Sequence, residues 1–317
     1  MADGLIELWR VKEYEKNVYI RCQQKDARLA ANAIQTTMHS KLKSFDILGS
    51  TEALERTDRY GDTPNVEIGH NRRAVVLKDF DWGKLIDDMD ILRTLNDPTN
   101  PYVQIMGNAF MRKKDKIFIA SALGQAREGE EGDSLITLPT AQRVHAFKSS
   151  ALSNLNVEAL RLLKYKFDKA DVDPDMMKHL AVTPSQIRAL LAETEVTSSD
   201  YNTVQALVAG KVDSFMGFKF HVSNLLPVVG DNSFETDTVY NFSVTTGEYN
   251  AGGTASTGAR RCIAWVEDGL RMATGAAFSA EISKRADKKN IPQIYGKMAM
   301  GGVRMEDVKV IEVNCKE

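Results

Sequence analysis

The chain has 317 residues, 43% hydrophobic and 26% charged, with a formal net charge of −2. That composition is ordinary for a soluble globular protein and supplies enough apolar material for a large core, in two domains or one irregular one. It excludes a polyanion binder built on overall charge, and no run approaches eighteen apolar residues, which argues against a membrane-spanning helix.

The opening MADGLIELWR has acidic residues and no apolar core of the secretory type. Residues 11 to 35 read as an amphipathic helix, with Val11, Tyr14, Val18, Cys22, Leu29 and Ala33 mostly on one face. Eight Lys/Arg against five Asp/Glu make residues 1 to 45 mildly basic, as a solvated helix face would be. Residues 45 to 80 are polar and broken by Gly61, Pro64 and Gly69, between the strand-like ends FDIL and RRAVVL. A two-stranded hairpin of this kind is marginal alone in water and needs another surface, such as a second copy of the chain.

DWGKLIDDMDILRTL, residues 81 to 95, predicts a short helix with Trp82, Leu85, Ile86, Met89 and Leu92 inward. A long helix should then begin at Pro101 behind Asn100. Its apolar face is Tyr102, Met106, Ala109, Phe110, Ile117, Ala120 and Leu123, and Gly124 is its stop. Such a helix is roughly 35 Å long. Residues 126 to 140 read as loop, and a further helix is expected over 157 to 169.

The second half alternates. HLAVTP reads as a strand, and Thr183-Pro184 should open the helix SQIRALLAE. NTVQALVAG suggests another short helix, and VDSFMGFKFHVSNLLP two strands turning at Gly217. TVYNFSV and RCIAWVEDGLRMAT read as strands on either side of a glycine-rich loop. At the end, Gly301-Gly302 suggests the tight turn of a hairpin. The class is α+β.

The chemical inventory is thin. No phosphate-binding loop and no His-Glu-x-x-His motif is present, and GGTASTG does not follow a buried strand. The five histidines, His39, His70, His145, His179 and His221, have no ligand spacing. Asp87 and Asp90 fall opposite the apolar stripe of their expected helix and read as solvated. Ser185 lacks a nucleophile-elbow context and reads as part of a helix start. RKKDK at 112 to 116 is a compact basic patch, suited to phosphate, to an acidic neighbour or simply to solvent. Cys22, Cys262 and Cys315 are odd in number and far apart, which predicts three reduced thiols in a cytosolic setting. No catalytic, cofactor or metal residue is assigned.

One stretch is more specific than its periodicity. Phe80-Asp81-Trp82, then Leu85 to Asp88, then Asp97 to Tyr102 and a long helix with mixed charges near its middle, resembles the central segment of tailed-phage major capsid proteins. The later order of LAVTPSQIRALLAE, VDSFMGFKFHVSNLLP and CIAWVEDGLRMATG is similar too, so the resemblance covers about residues 40 to 317. It implies the Hong Kong 97-type capsid fold: an N-terminal arm (1–45), an extended β-hairpin loop (46–80), a peripheral domain with a long spine helix (81–169), an axial domain (170–265) and a return to the peripheral domain (266–317).

The implied function is structural: a non-enzymatic subunit that assembles as hexamers and pentamers into an icosahedral shell around double-stranded DNA. Its expected place is the virion capsid, assembled in the host bacterial cytoplasm. Portal protein, scaffolding or decoration proteins, and weakly contacted DNA are the implied partners; no cofactor and no membrane are. An encapsulin-type compartment shell and an α+β enzyme are the rival readings, told apart by the contents of the shell or by a convergent acid–base–nucleophile cluster. Arg56, Arg59, Arg72 and Arg73, with Glu52, Glu55, Asp58 and Asp62 as complements, are the expected charged contacts between subunits.

Overall fold

The computed structural model describes residues 22–55, 59, 63, 65–86, 99–148, 151–193, 214–229, 259–276, 278–288 and 290–317. Residues 22–33 run irregularly, with one 3-10 turn at Ala30–Asn32, and β1 follows at Ile34–Thr37. The helix expected over 11 to 35 therefore fails in its second half; its first half lies outside the described residues. Tertiary partners outcompete the helix here. Leu29, Ala30 and Ala33 are buried, and the N–H groups of residues 28–30 bond to Asp115 instead of to a preceding turn.

β2 (Leu42–Leu48) and β3 (His70–Val76) pair antiparallel from Leu42↔Val76 to Leu48↔His70, which is the expected hairpin. β4 (Lys78–Leu85) replaces the first part of the helix expected over 81 to 95. Phe80 and Trp82 alternate with exposed Asp79 and Asp81, a period of two that the helical reading missed. Met89, Leu92 and the aspartates at 87, 88 and 90 lie outside the described residues.

The long helix, α1, spans Thr99–Leu123, beginning two residues before Pro101. Proline is tolerated in a first turn, where its missing N–H has no partner to lose. Gly124 closes the last turn, its N–H 2.8 Å from Ala120 O. At 1.5 Å per residue the helix is about 38 Å long. Met106, Phe110, Ile117, Ala120 and Leu123 are buried as expected. Phe118, Ile119 and Ala122 are buried as well, so the last turns are enclosed on every side and carry no solvent face.

Residues 126 to 140 hold β5 (Ala126–Glu128) and β6 (Ser134–Ile136), not loop alone. Both are three-residue strands, too short to show a period, and they extend the hairpin into a four-stranded sheet ordered β2-β3-β5-β6. Then come β7 (Arg143–His145), a small hairpin of β8 (Phe147–Lys148) and β9 (Ala151–Leu152), and α2 (Val157–Lys169) at its expected bounds. Asn156 caps α2, its side chain accepting from Ala159 N–H at 2.8 Å. β10 is Lys178–Val182, and α3 is Pro184–Leu191 with proline at its start, although the Thr183 hydroxyl does not bond the first turn.

β11 (Ser214–Phe215) and β12 (Phe218–Val222) turn through Met216 and Gly217, both at positive φ. The segments NTVQALVAG, TVYNFSV and the glycine-rich loop fall outside the described residues. β13 (Arg260–Val266) and β14 (Leu270–Thr274) follow as expected, then β15 (Ser279–Arg285), β16 (Ile291–Arg304) and β17 (Val310–Cys315). The expected turn at Gly301-Gly302 does not occur: both lie inside the 14-residue β16, and the chain turns at Asp307–Lys309. The glycines serve close approach instead. A Cβ on Gly301 would stand 2.4 Å from Val76 O, and one on Gly302 2.9 Å from Ser121 Oγ on α1.

Two larger sheets organise the rest. β16 pairs with β14, β15 and β4, and β14 with β1, forming a five-stranded sheet. The register sets Phe80 opposite Met298 and Trp82 opposite Gly296, and a Cβ on Gly296 would meet Met106 and Phe110, so α1 lies across this face. The second sheet, ordered β11-β12-β10-β13-β17-β7, draws strands from both sides of the expected boundaries at 169/170 and 265/266. Phe167 of α2 meets Phe218 on one face, and Phe118 of α1 meets Trp265 on the other.

Candidate assembly site

The hairpin is rooted by its own small core. Met38, Val75, Ala126, Ala273, Val303 and Met305 are buried together, with Phe45, Ile47 and Leu77 packed against them. Beyond this root the support ends: every described residue from Leu48 to Asn71 is exposed. Among them are four large apolar side chains, Leu48 and Leu54 at 63%, Val66 at 41% and Ile68 at 44% exposure.

The charged residues expected at a subunit contact divide in three. Glu52, Glu55 and Arg59 sit on the exposed end. Arg56, Asp58 and Asp62 lie outside the described residues. Arg72 and Arg73 are engaged within their own chain. Arg72 pairs across the stem with Asp46 at 2.5 Å and reaches Glu130 at 3.6 Å; the Asp46 hydrogen bond and charge raise its pKa. Arg73 is a correction to the sequence reading: it is 6% exposed, and its guanidinium meets Asp307 at 3.1 Å. One residue's difference in position turns it from the outer face to the core face of the strand, and sequence charge alone does not show that.

Asp307 is shared with Arg304, which is fully buried. Arg304 donates to Ala122 O at 3.0 Å, Gly124 O at 2.8 Å and Ile136 O at 3.3 Å. It thereby satisfies carbonyls at the C-terminal end of α1, the negative end of the helix dipole. Burial lowers its pKa, against the pull of Asp307. Nearby, Glu312 takes a two-pronged bond from Arg261 (2.7 and 3.0 Å), with Arg143 at 3.4 Å. Burial pushes its carboxyl up, but the two guanidiniums hold it below the usual range.

Midway along α1, the patch read as RKKDK is a clasp for the arm. Asp115 is fully buried and accepts from the N–H groups of Arg28 (2.9 Å), Leu29 (3.1 Å) and Ala30 (3.0 Å), and from Gln24 Nε2. Arg112 donates to Gln23 Oε1 at 2.7 Å, and Lys113 stands 4.7 Å over the Phe80 ring. Sequence reading missed this role, because an aspartate among four cations looks like a charged flank.

A cleft of about 830 Å³ lies between the β8–β9 hairpin, the start of α2 and the end of α3. Glu193 there accepts from Val157 N–H at 3.2 Å and pairs with Lys148 at 3.5 Å. No histidine or cysteine lines it, and among the described residues no three His, Cys, Asp or Glu converge on a metal-sized point. Cys262 and Cys315 are buried, Cys22 is exposed, and none is in a disulfide.

A bare hairpin, a strut-like helix and an arm clasped to it describe a tile more than a reaction centre. A family model for phage capsid proteins matches residues 6–317. The chain belongs to that phage capsid protein family. No curated protein sequence matches it. The capsid of cyanophage P-SCSP1u is similar in fold, with a TM-score of 0.71 at 17% identity over 98% of this chain and 94% of that one. The acid-stable capsid of Helicobacter pylori bacteriophage KHP30 gives 0.69 at 10% identity over 99% and 97%. The capsid of a native GTA particle, computed with five-fold symmetry, gives 0.60 at 12% over 100% and 98%. The fold is therefore of the Hong Kong 97 type, and the chain is a structural capsid protein. Neither an encapsulin nor an enzyme is favoured by these likenesses.

Proposed function

We propose that this capsid protein tiles an icosahedral shell of hexamers and pentamers enclosing the double-stranded DNA of a tailed phage, assembled in the host cytoplasm and without catalytic activity. The observation that carries the reading is the bare hairpin end. Leu48, Leu54, Val66 and Ile68 are left 41–63% exposed by their own subunit. Covering such side chains on a neighbouring copy contributes about 1–2 kcal/mol each. Glu52, Glu55 and Arg59, with Arg56, Asp58 and Asp62, supply charged contacts around them; exposed pairs add about 0–1 kcal/mol each, repeated across every subunit. Arg72 stays as an outward-facing stem contact, while Arg73 fixes the root.

The tile divides, in this reading, into the arm, the hairpin loop, a peripheral part built on α1 and the five-stranded sheet, and an axial part built on the six-stranded sheet. Portal protein and scaffolding or decoration proteins complete the particle. A net charge of −2 suits an inner surface that touches packaged DNA without tight, salt-dependent attachment.

The test is deletion of about residues 55 to 68. The expected product is a folded, soluble subunit that forms no stable shells by sedimentation and electron microscopy. Particles of normal size and stability from the deletion variant would overturn the role given to the hairpin.

A further inference from the structure

His179 on β10 and His221 on β12 are 42 residues apart in the chain, and the fold brings them together. Parallel pairing sets His179 opposite Lys219 and Ala181 opposite His221, so both rings rise from one face, a diagonal step apart. His179 Nδ1 lies 2.9 Å from His221 Nε2. At that distance one nitrogen donates and the other accepts; two N–H groups cannot face each other there. Trp265 covers the pair from β13, stacked on His179 at 5.3 Å and 22°, and 5.7 Å from His221.

The arm forms the next layer. Asn32 O accepts the Trp265 indole N–H at 2.9 Å. Arg28 donates to Val222 O at 3.2 Å, next to His221 in the chain, and residues 28–30 are held by Asp115. We propose that the imidazole pair is an acid-sensitive latch, holding residues 24–32 against the spine helix and the six-stranded sheet while both rings are neutral and releasing them when both become charged.

The charges facing the pair set the direction. Burial is the main influence and holds both rings at a pKa of about 4; the charge of His221 further opposes a proton on His179, and Lys219 opposes one on either ring. Asp115 on α1 favours a charge on His221 but does not offset the burial. Arg28 on the arm adds a further positive charge alongside. Once the arm lifts, water reaches the rings and they return towards 6.5. Release therefore takes up protons, so it levels off as pH rises above 6.5 and grows as pH falls towards 4. One ring returning from about 4 to about 6.5 multiplies the released population about tenfold between pH 6.5 and 5.0.

The experiment is amide hydrogen exchange on the full chain, following the protection of Arg28, Leu29 and Ala30 as the ratio of each amide's exchange rate to its own unstructured rate at the same pH. The expected result is about a tenfold or greater relative loss of protection at the arm between pH 6.5 and 5.0. His179→Asn with His221→Gln, which keeps polar side chains that do not titrate, should flatten that dependence. Lys219→Glu, at an exposed site, raises the proton affinity of the closed pair and should shrink the loss even if the double variant fails to fold. A flat wild-type ratio overturns the proposal, and so does a loss that Lys219→Glu leaves unchanged.

Discussion

Asp115→Ala tests the clasp most directly. The substitution removes the acceptor for three backbone N–H groups and for Gln24. Leu29 and Ala30 are fully buried, so water cannot replace the lost oxygen at those two amides without opening the structure. A buried donor left unpaired costs about 1–3 kcal/mol, giving about 2–6 kcal/mol for the pair. Releasing the segment instead forfeits the burial of one leucine and two alanines, about 3–4 kcal/mol. It also returns backbone entropy of about 1–2 kcal/mol for each freed residue. Release is the cheaper course. In the variant, residues 24–33 should lose exchange protection and become open to proteolysis, while α2 and the six-stranded sheet keep theirs. Asp115→Asn should fall between, because its amide places an N–H group against one of the donors. Unchanged protection at Leu29 and Ala30 in Asp115→Ala would refute the reasoning.

Gly301→Ala sets a Cβ 2.4 Å from a backbone carbonyl that cannot swing aside, and should lower the unfolding free energy from urea titration by about 1–3 kcal/mol or more, whereas Gly69→Ala, with nothing within 4 Å, should change it by less than about 0.5 kcal/mol. Stability should fall as pH drops from 6.5 to 4. His145, His179 and His221 are each held at about 4, chiefly by burial, so the unfolded chain binds protons over that window and the folded one does not. Urea titrations at pH 7.5, 6 and 5 check this, and equal stabilities would count against it. A thiol reagent should modify Cys22 alone in the native subunit and all three cysteines after unfolding, because Cys262 and Cys315 are buried and the hydrogen bond with Cys262, then burial, raise the Cys315 thiol's pKa.

What the sequence disclosed depended on whether the signal was local. The spine helix, α2 and the β10–α3 junction were legible because caps, proline and a period of 3.6 lie within one window of chain. β4 was not. Trp82, Leu85 and Ile86 satisfy a helical spacing as well as Phe80 and Trp82 satisfy an alternating one, and the arbiter is β16, more than 200 residues later. Gly301-Gly302 looked like a turn because glycine permits one; the need for close approach to Val76 and Ser121 exists only once three elements are assembled. The same holds for the candidate sites. The hairpin's exposed end was visible as polar sequence with breakers, but the inward turn of Arg73, the acceptor role of Asp115 and the meeting of His179 with His221 are properties of the packed chain.

The buried charges fall at the places where the tile's projecting parts join its frame. Asp115 receives the arm at the middle of α1, and Arg304 with Asp307 joins the end of α1 to Arg73 at the hairpin root. Buried ion pairs contribute little net stability, because desolvation offsets most of the attraction. Their geometry is restrictive, however. A guanidinium that must meet one carboxylate and three carbonyls accepts few orientations, whereas the aliphatic contacts of the root core accept many. Apolar burial thus supplies the grip on the hairpin, and the Arg73–Asp307–Arg304 set fixes its angle to the helix. In a closed shell an angular error at one subunit is repeated at every contact, so direction counts for more than local strength. A rigid α1 carrying both attachments keeps arm and hairpin in a constant relation, and that relation is what a repeating tile requires.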